Sequence, residues 1–272
     1  MNFLRFFATG LLLLPLLARA AELRVDARRG SDVYRTEALL ERPDVRAITI
    51  PDDVAFRRTM HYRAVPLTAL LPGIGLGDHL QFTALDGFVA EIPAAALLQR
   101  GGSEAWLAID DPAHPWPALG GGQGGAGPFY VVWTRPRAGN ISQEQWPYQL
   151  AAIRVLPAAD VRFPAIRPAD ALPADSSIRR GFAVFQRTCF ACHTLNGEGA
   201  ATLGPDLNRP YSPTEYLRAD LLRGFIRNPQ SLRQWPQARM PAFDEKALPD
   251  ADLDALLDYL RHMAGRRRAG EK

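Results

Sequence analysis

Hydrophobic and polar residues alternate with period two over residues 22–26, the pattern of a half-buried strand. Residues 45–50 repeat it with β-branched side chains, and residues 80–84 and 88–92 flank Asp86-Gly87, a hairpin signal. Residues 105–109, 129–133 and 151–155 complete a set of predicted strands. Short helices are predicted over residues 36–41, over 65–71 before Pro72-Gly73, and over 93–98. Strands and short helices follow no regular βα repeat, so residues 22–157 are expected to form an α+β domain with a mixed or antiparallel sheet.

The period changes after residue 175. Ile178, Phe182 and Phe185 fall at helical spacing behind the N-cap candidates Asp175, Ser176 and Ser177. A second helix is predicted over residues 214–228, its apolar face built from Tyr216, Leu217, Leu221, Leu222, Phe225 and Ile226, ending at Asn228-Pro229. Leu253, Leu256, Leu257, Leu260 and Met263 mark a third from about residue 248 to 264, with Pro249 in its first turn. The C-terminal domain is therefore expected to be all-α. Between the domains, Pro157, Pro164, Pro168 and Pro173 lie in or beside residues 158–175, which reads as an extended Pro-rich linker joining two independently folding units.

Composition adds little to this picture. Of 272 residues 47% are hydrophobic and 22% charged, which suits a globular chain with a core. A formal charge of +3 is too small an excess to point to nucleic acid. Residues 266–272 read as a basic tail that could steer an acidic redox partner. The first twenty residues do change the picture. Arg5 precedes an apolar run ending near Leu17, and Ala18-Arg19-Ala20 is an A-x-A cleavage site. Residues 1–20 read as a secretory signal peptide, which places the mature protein in the periplasm. Retention as an anchor is the other reading, but the run is short of the ~20 residues a spanning helix needs.

The candidate chemistry lies in Cys189-Phe-Ala-Cys192-His193, a C-x-x-C-H motif containing the only two cysteines of the chain. This is the attachment signature of c-type haem. Two thiols on one turn reach both vinyl groups of a porphyrin, and the adjacent His193 is placed under the iron. A redox C-x-x-C or half a zinc site are the competing readings, but zinc would want more Cys or His nearby. The glycine-rich residues 120–127 lack the Lys-Ser/Thr of a phosphate loop and read as a surface loop. His61, His79 and His114, with Met60, are scattered and have no spacing that requires a metal.

From Ser176 to about Gly265 the chain resembles the class I cytochromes c. The resemblance places Gly181 and Phe185 where the first helix crosses the last, with Tyr259 and Leu260 as the pair they meet. It implies that the Pro205 carbonyl in Gly204-Pro-Asp-Leu207 accepts the His193 Nδ1–H, and that Met240, followed by Pro241, is the sixth iron ligand. Phe243 would pack beside the porphyrin. Among other methionines, Met1 leaves with the signal peptide, Met60 belongs to the first unit and Met263 lies on a core stripe. Trp235 is a candidate for shielding a propionate or for packing.

The first unit resembles, more loosely, the molybdopterin-binding domain of the sulfite oxidase family. The residues that carry the likeness are Tyr62-Arg-Ala-Val-Pro-Leu67 with Leu70-Leu71, Asp86-Gly87-Phe88 with Ile92-Pro93, Trp106-Leu-Ala108, and Gly127-Pro128. That family holds molybdenum through a cysteine thiolate, and residues 21–188 contain no cysteine. Arg57, Arg58 and Arg63 form a close arginine group there that a solvated basic face explains as well. The resemblance therefore implies the fold with the cofactor absent.

The expected function is one-electron transfer by a periplasmic cytochrome with one covalent haem c. Its first unit would dock a redox protein or dehydrogenase, with no nucleic acid partner and no stable membrane span. The alternative is an oxidoreductase whose first unit binds a cofactor or metal and passes electrons to the haem. A haem sensor with a labile Met240 is a third possibility.

Overall fold

The computed structural model describes residues 21–99, 102–120, 124–234 and 237–267. The signal-peptide reading, Trp235 and the end of the basic tail lie outside the described residues.

The first unit contains two sheets. The strands are β1 (Glu22–Ala27), β2 (Gly30–Arg35), β3 (Arg46–Ile50), β4 (Met60–Pro66), β5 (His79–Ala84), β6 (Val89–Pro93), β7 (Glu104–Ile109), β8 (Phe129–Thr134) and β9 (Leu150–Leu156). One sheet runs in the order β2-β1-β9-β5-β6, mixed because β1 and β9 pair in parallel. The other runs β3-β4-β7-β8 and is antiparallel throughout. Helices α1 (Thr36–Leu40) and α2 (Ala94–Leu98) are single turns between strands. The core between these elements is apolar and aromatic, with Phe82, Phe129, Tyr130 and Trp133 fully buried. This is the expected α+β unit with mixed and antiparallel sheets.

Two elements differ from expectation. Residues 65–71 do not form one helix. Residues 63–66 pair with β7 as the end of β4, and only Leu67–Leu70 make a 3₁₀ turn. The apolar spacing of Val65, Leu67, Leu70 and Leu71 suits either structure, and ladder pairing decides it. Strand β2 carried no sequence signal, because its face is almost wholly exposed and it is held by its ladder with β1.

The C-terminal unit is helical: α4 (Ser177–Val184), α5 (Pro213–Tyr216), α6 (Ala219–Arg227), α7 (Pro229–Leu232) and α8 (Asp250–Ala264), preceded by α3 (Ala159–Arg162). The Ser176 side chain caps α4 by accepting the Arg179 backbone N–H at 3.3 Å. Helices α4 and α8 cross at Gly181, where a Cβ would stand 2.7 Å from Tyr259 Cβ and would also strike the Ala255 carbonyl. Only glycine permits that approach. The helix expected over 214–228 is broken at Leu217, whose extended backbone turns its side chain onto the core. Ser212 and Glu215 form a capping box that closes α5 as a unit of its own. Leu222 and Ile226 are buried, while Tyr216, Leu221 and Phe225 of the predicted apolar face point outward.

The stretch expected to be an extended linker is packed instead. Ala159 and Ile166 are fully buried in the second core, and Phe163 meets Phe190 edge-on at 5.7 Å. Tyr259 Oη donates to the Ile166 carbonyl at 2.6 Å, Asn196 Nδ2 to the Ala165 carbonyl at 3.0 Å, and the Ala169 N–H to His262 Nε2 at 3.1 Å. Pro164 opens a 3₁₀ turn, where its missing N–H costs nothing. Residues 159–166 thus belong to the helical unit. The basic tail is also tied down in part. Arg267 pairs with Glu215, donates to the Asn208 carbonyl and lies over Tyr211.

Candidate functional site

Helix α4 runs directly into a π turn, Phe185–Cys189, whose wider i→i+5 bond from the Phe190 N–H to the Phe185 carbonyl is 2.9 Å. Such a turn re-aims the residues after it. The chain then folds back on itself, with the Cys192 and His193 N–H groups donating to the Cys189 carbonyl at 3.1 and 3.0 Å. Cys189, Cys192 and His193 are thereby gathered on one turn. Both cysteines are free thiols and half-buried. Burial raises the Cys189 thiol far above its ordinary value and pushes Cys192 up to about 12, with the nearby Glu144 charge adding to both.

His193 is oriented from its far side. Nδ1 lies 2.8 Å from the Pro205 carbonyl. A carbonyl only accepts, so Nδ1 carries the proton and the Nε2 lone pair is left for a metal. Burial holds the imidazole pKa below its ordinary value, against the Pro205 bond and the Asp206 charge. The ring is wedged by Gly204, where a Cβ would stand 2.5 Å from His193 Cε1, and the Gly204 N–H donates to the Cys192 carbonyl at 2.7 Å. Asp206 locks the loop by accepting from Thr194 Oγ1 and from the N–H groups of Asn196, Gly197 and Asn208. The sequence contained Asp206 but no signal for this clamp, which depends on a loop closure.

Met240 is half-buried against the same core that holds Cys189. Its segment is anchored to α6. The Phe243 N–H donates to the Ile226 carbonyl, and Arg227 donates to the carbonyls of Phe243 and Leu248. Phe243 is buried in that core. Met263 is buried on the α8 stripe. The two thiols and the imidazole with one nitrogen fixed, gathered on one turn, fit a c-type haem, and the Met240 thioether packs against the same core.

The structure also brings part of the first unit to this turn. The Val89 N–H donates to the Ala191 carbonyl, inside the C-x-x-C motif, at 3.0 Å. The Thr202 N–H donates to the Gly87 carbonyl at 3.2 Å, and Ser142 Oγ to the Arg187 carbonyl at 3.3 Å. Arg162 and Glu91, both largely buried, pair at 2.6 Å across the same seam. None of these contacts was legible in the sequence.

His61, His79 and His114 are not brought together. His61 lies on β4 beside Thr49, His79 on β5 in the other sheet, and His114 near Asp111 in a loop. Met60 is a buried core residue. Among the described residues no group of three or more His, Cys, Asp or Glu is placed to hold a metal ion. No helix among them is long and apolar enough to cross a membrane.

A comparison with curated proteins found no match. Residues 178–264 match the family model described as cytochrome c, so the helical unit is a cytochrome c domain, a family in which haem c is covalently held and carries electrons.

Proposed function

We propose that the protein is an exported, periplasmic cytochrome carrying one haem c and passing single electrons to or from a periplasmic redox protein or dehydrogenase. The observation that carries this reading is His193, fixed by Pro205 on the turn that bears both cysteines. Cys189 and Cys192 would form the thioether links, and His193 and Met240 would be the axial ligands. Held there, haem supplies a one-electron ferric/ferrous couple.

The chain's own residues set the terms of that couple. Gly204 and Pro205 keep the imidazole in one tautomer and one orientation. The Met240 sulfur is a neutral, soft donor that favours the ferrous state. Gly87, Val89 and Ser142 of the first unit hydrogen-bond to the attachment turn and to the chain on either side of it, and hold it against that unit. In this reading the remaining surface of the first unit docks the partner protein, and it holds no cofactor of its own.

Acidified organic solvent and elemental analysis test this together. The haem is expected to stay with the denatured chain, with iron near one per chain. Haem lost to the solvent would overturn covalent attachment, and stoichiometric molybdenum or copper would make the protein an enzyme.

A further inference from the structure

Glu144 lies in the single turn Gln143–Gln145 of the first unit, which packs against the π turn Phe185–Cys189 of the cytochrome domain. The turn is rigidly built. Gln145 Oε1 accepts the Ser142 N–H at 2.9 Å, and Trp133 Nε1 donates to the Gln145 carbonyl at 2.7 Å. Glu144 is 7% exposed, and its Oε2 has no hydrogen-bond partner among the described residues. The buried Gln143 amide next to it favours the ionised form but makes no hydrogen bond of normal geometry. Arg187, whose charge acts on Glu144, is engaged by Asp252 at 3.2 Å, and among the described residues no salt bridge joins it to Glu144. A buried carboxyl left in this state is costly to ionise and is held by the tertiary fold.

The position of this group is informative. The Glu144 charge is felt at Cys189 and at Cys192, the two atoms through which a haem would be attached. Arg187, Asp252, Lys246 and Asp52 surround a cavity of about 240 Å³ that Gln143 and Ser142 also line, so water can reach the seam. On the other side, Asp86 acts on Cys192, and Tyr148 feels both Asp86 and Arg239.

We propose that Glu144 is a proton-binding site linked to the haem, so that the chain takes up one proton at Glu144 as it accepts one electron. The proposal rests on the haem reading above. A one-electron donor supplies the electron and solvent supplies the proton. With haem bound and reduced by one electron, Glu144 would pass from carboxylate to carboxylic acid by taking one proton from solvent, so net charge at the site would be conserved. The oxidised site carries one more positive charge and favours the carboxylate, so Glu144 releases its proton more readily when oxidised. Burial already pushes the Glu144 pKa up to about 8, against weaker opposing influences from its own backbone, Gln143 and Arg187. The exchange therefore falls within an accessible pH range.

The test is the reduction potential of the whole protein measured against pH. Between the oxidised-state and reduced-state pKa values of Glu144 the potential is expected to fall as pH rises, with a slope approaching about 59 mV per pH unit for one proton and one electron. Above and below that window it is flat. Glu144→Gln is expected to flatten the profile through the window while leaving the visible haem spectrum intact. The infrared redox difference spectrum of the wild type should show a protonated-carboxyl band on reduction that Glu144→Gln lacks. A flat wild-type profile from about pH 6 to about pH 10 overturns the proposal, as does a carboxyl band that survives the substitution. If Glu144→Gln does not fold, the wild-type profile and the carboxyl band decide alone, and absence of either overturns it. Absence of bound haem in the wild type overturns the reading beneath it, a result distinct from a haem with a pH-independent potential.

Discussion

At the scale of single residues, the site depends on groups that hold other groups. His193 is held by Pro205 and pressed by Gly204, and Asp206 closes the loop that carries both. Met240 has a different character. As the proposed sixth ligand it would contribute a neutral sulfur, and its segment is held by Arg227, which donates to the carbonyls of Phe243 and Leu248. Met240→Ala is therefore expected to remove a ligand without unfolding the segment. The reduction potential should fall, since the ligand that favours ferrous iron is gone. Carbon monoxide should bind the reduced variant at the opened position. A variant that keeps its potential and rejects carbon monoxide would show that Met240 is not the ligand.

At the scale of elements, the crossing of α4 and α8 organises the cytochrome domain. Phe182, Phe185 and Tyr259 stack across it with ring centroids 5.2–5.5 Å apart. The approach depends on Gly181, because a methyl group there meets both the α8 backbone and Tyr259. Backbone cannot move aside as the end of a long side chain can. Gly181→Ala is expected to destabilise the domain by about 3 kcal/mol, the upper part of the range for overpacking. Urea unfolding followed by circular dichroism would measure it. An unchanged midpoint would mean that the two helices separate at no cost.

At the scale of the whole molecule, the two units meet over the C-x-x-C-H turn, and residues from Ala159 onward pack into the helical core. The turns of residues 159–166 belong to the helical core through Ala159, Ile166 and the Tyr259 hydroxyl. Removing them exposes the Ile166 site and leaves a buried hydroxyl without its acceptor. A chain beginning at Ala174 is therefore expected to be less stable than one beginning at Ala158 by about 4 kcal/mol, from lost apolar burial and one unsatisfied polar group. Denaturant titration of the two haem-loaded proteins would compare them. Equal midpoints would return residues 158–173 to the role of a spacer.

What the sequence determined by itself was local chemistry and one-sided burial. Cys189, Cys192 and His193 are contiguous, so the motif is complete within five residues. Strands β1 and β3 were legible from alternation, and β6 and β8, buried on both faces, from short β-branched and aromatic runs, while β4 went unread although Met60 to Ala64 alternate between buried and exposed. Helix α8 was legible from one-sided burial at a period of 3.6. Tertiary structure decided what periodicity cannot carry. Strand β2 is held by its backbone ladder and shows no alternation. Residues 158–175 read as a spacer because proline density reports the local backbone and not the surface that the segment covers. Glu144 had no sequence signal at all. A glutamate is ordinarily solvated, and only the packing of the Gln143–Gln145 turn against the π turn buries its carboxyl where its charge acts on Cys189 and Cys192. Burial of a polar group depends on which two surfaces meet, and residues far apart along the chain supply those surfaces.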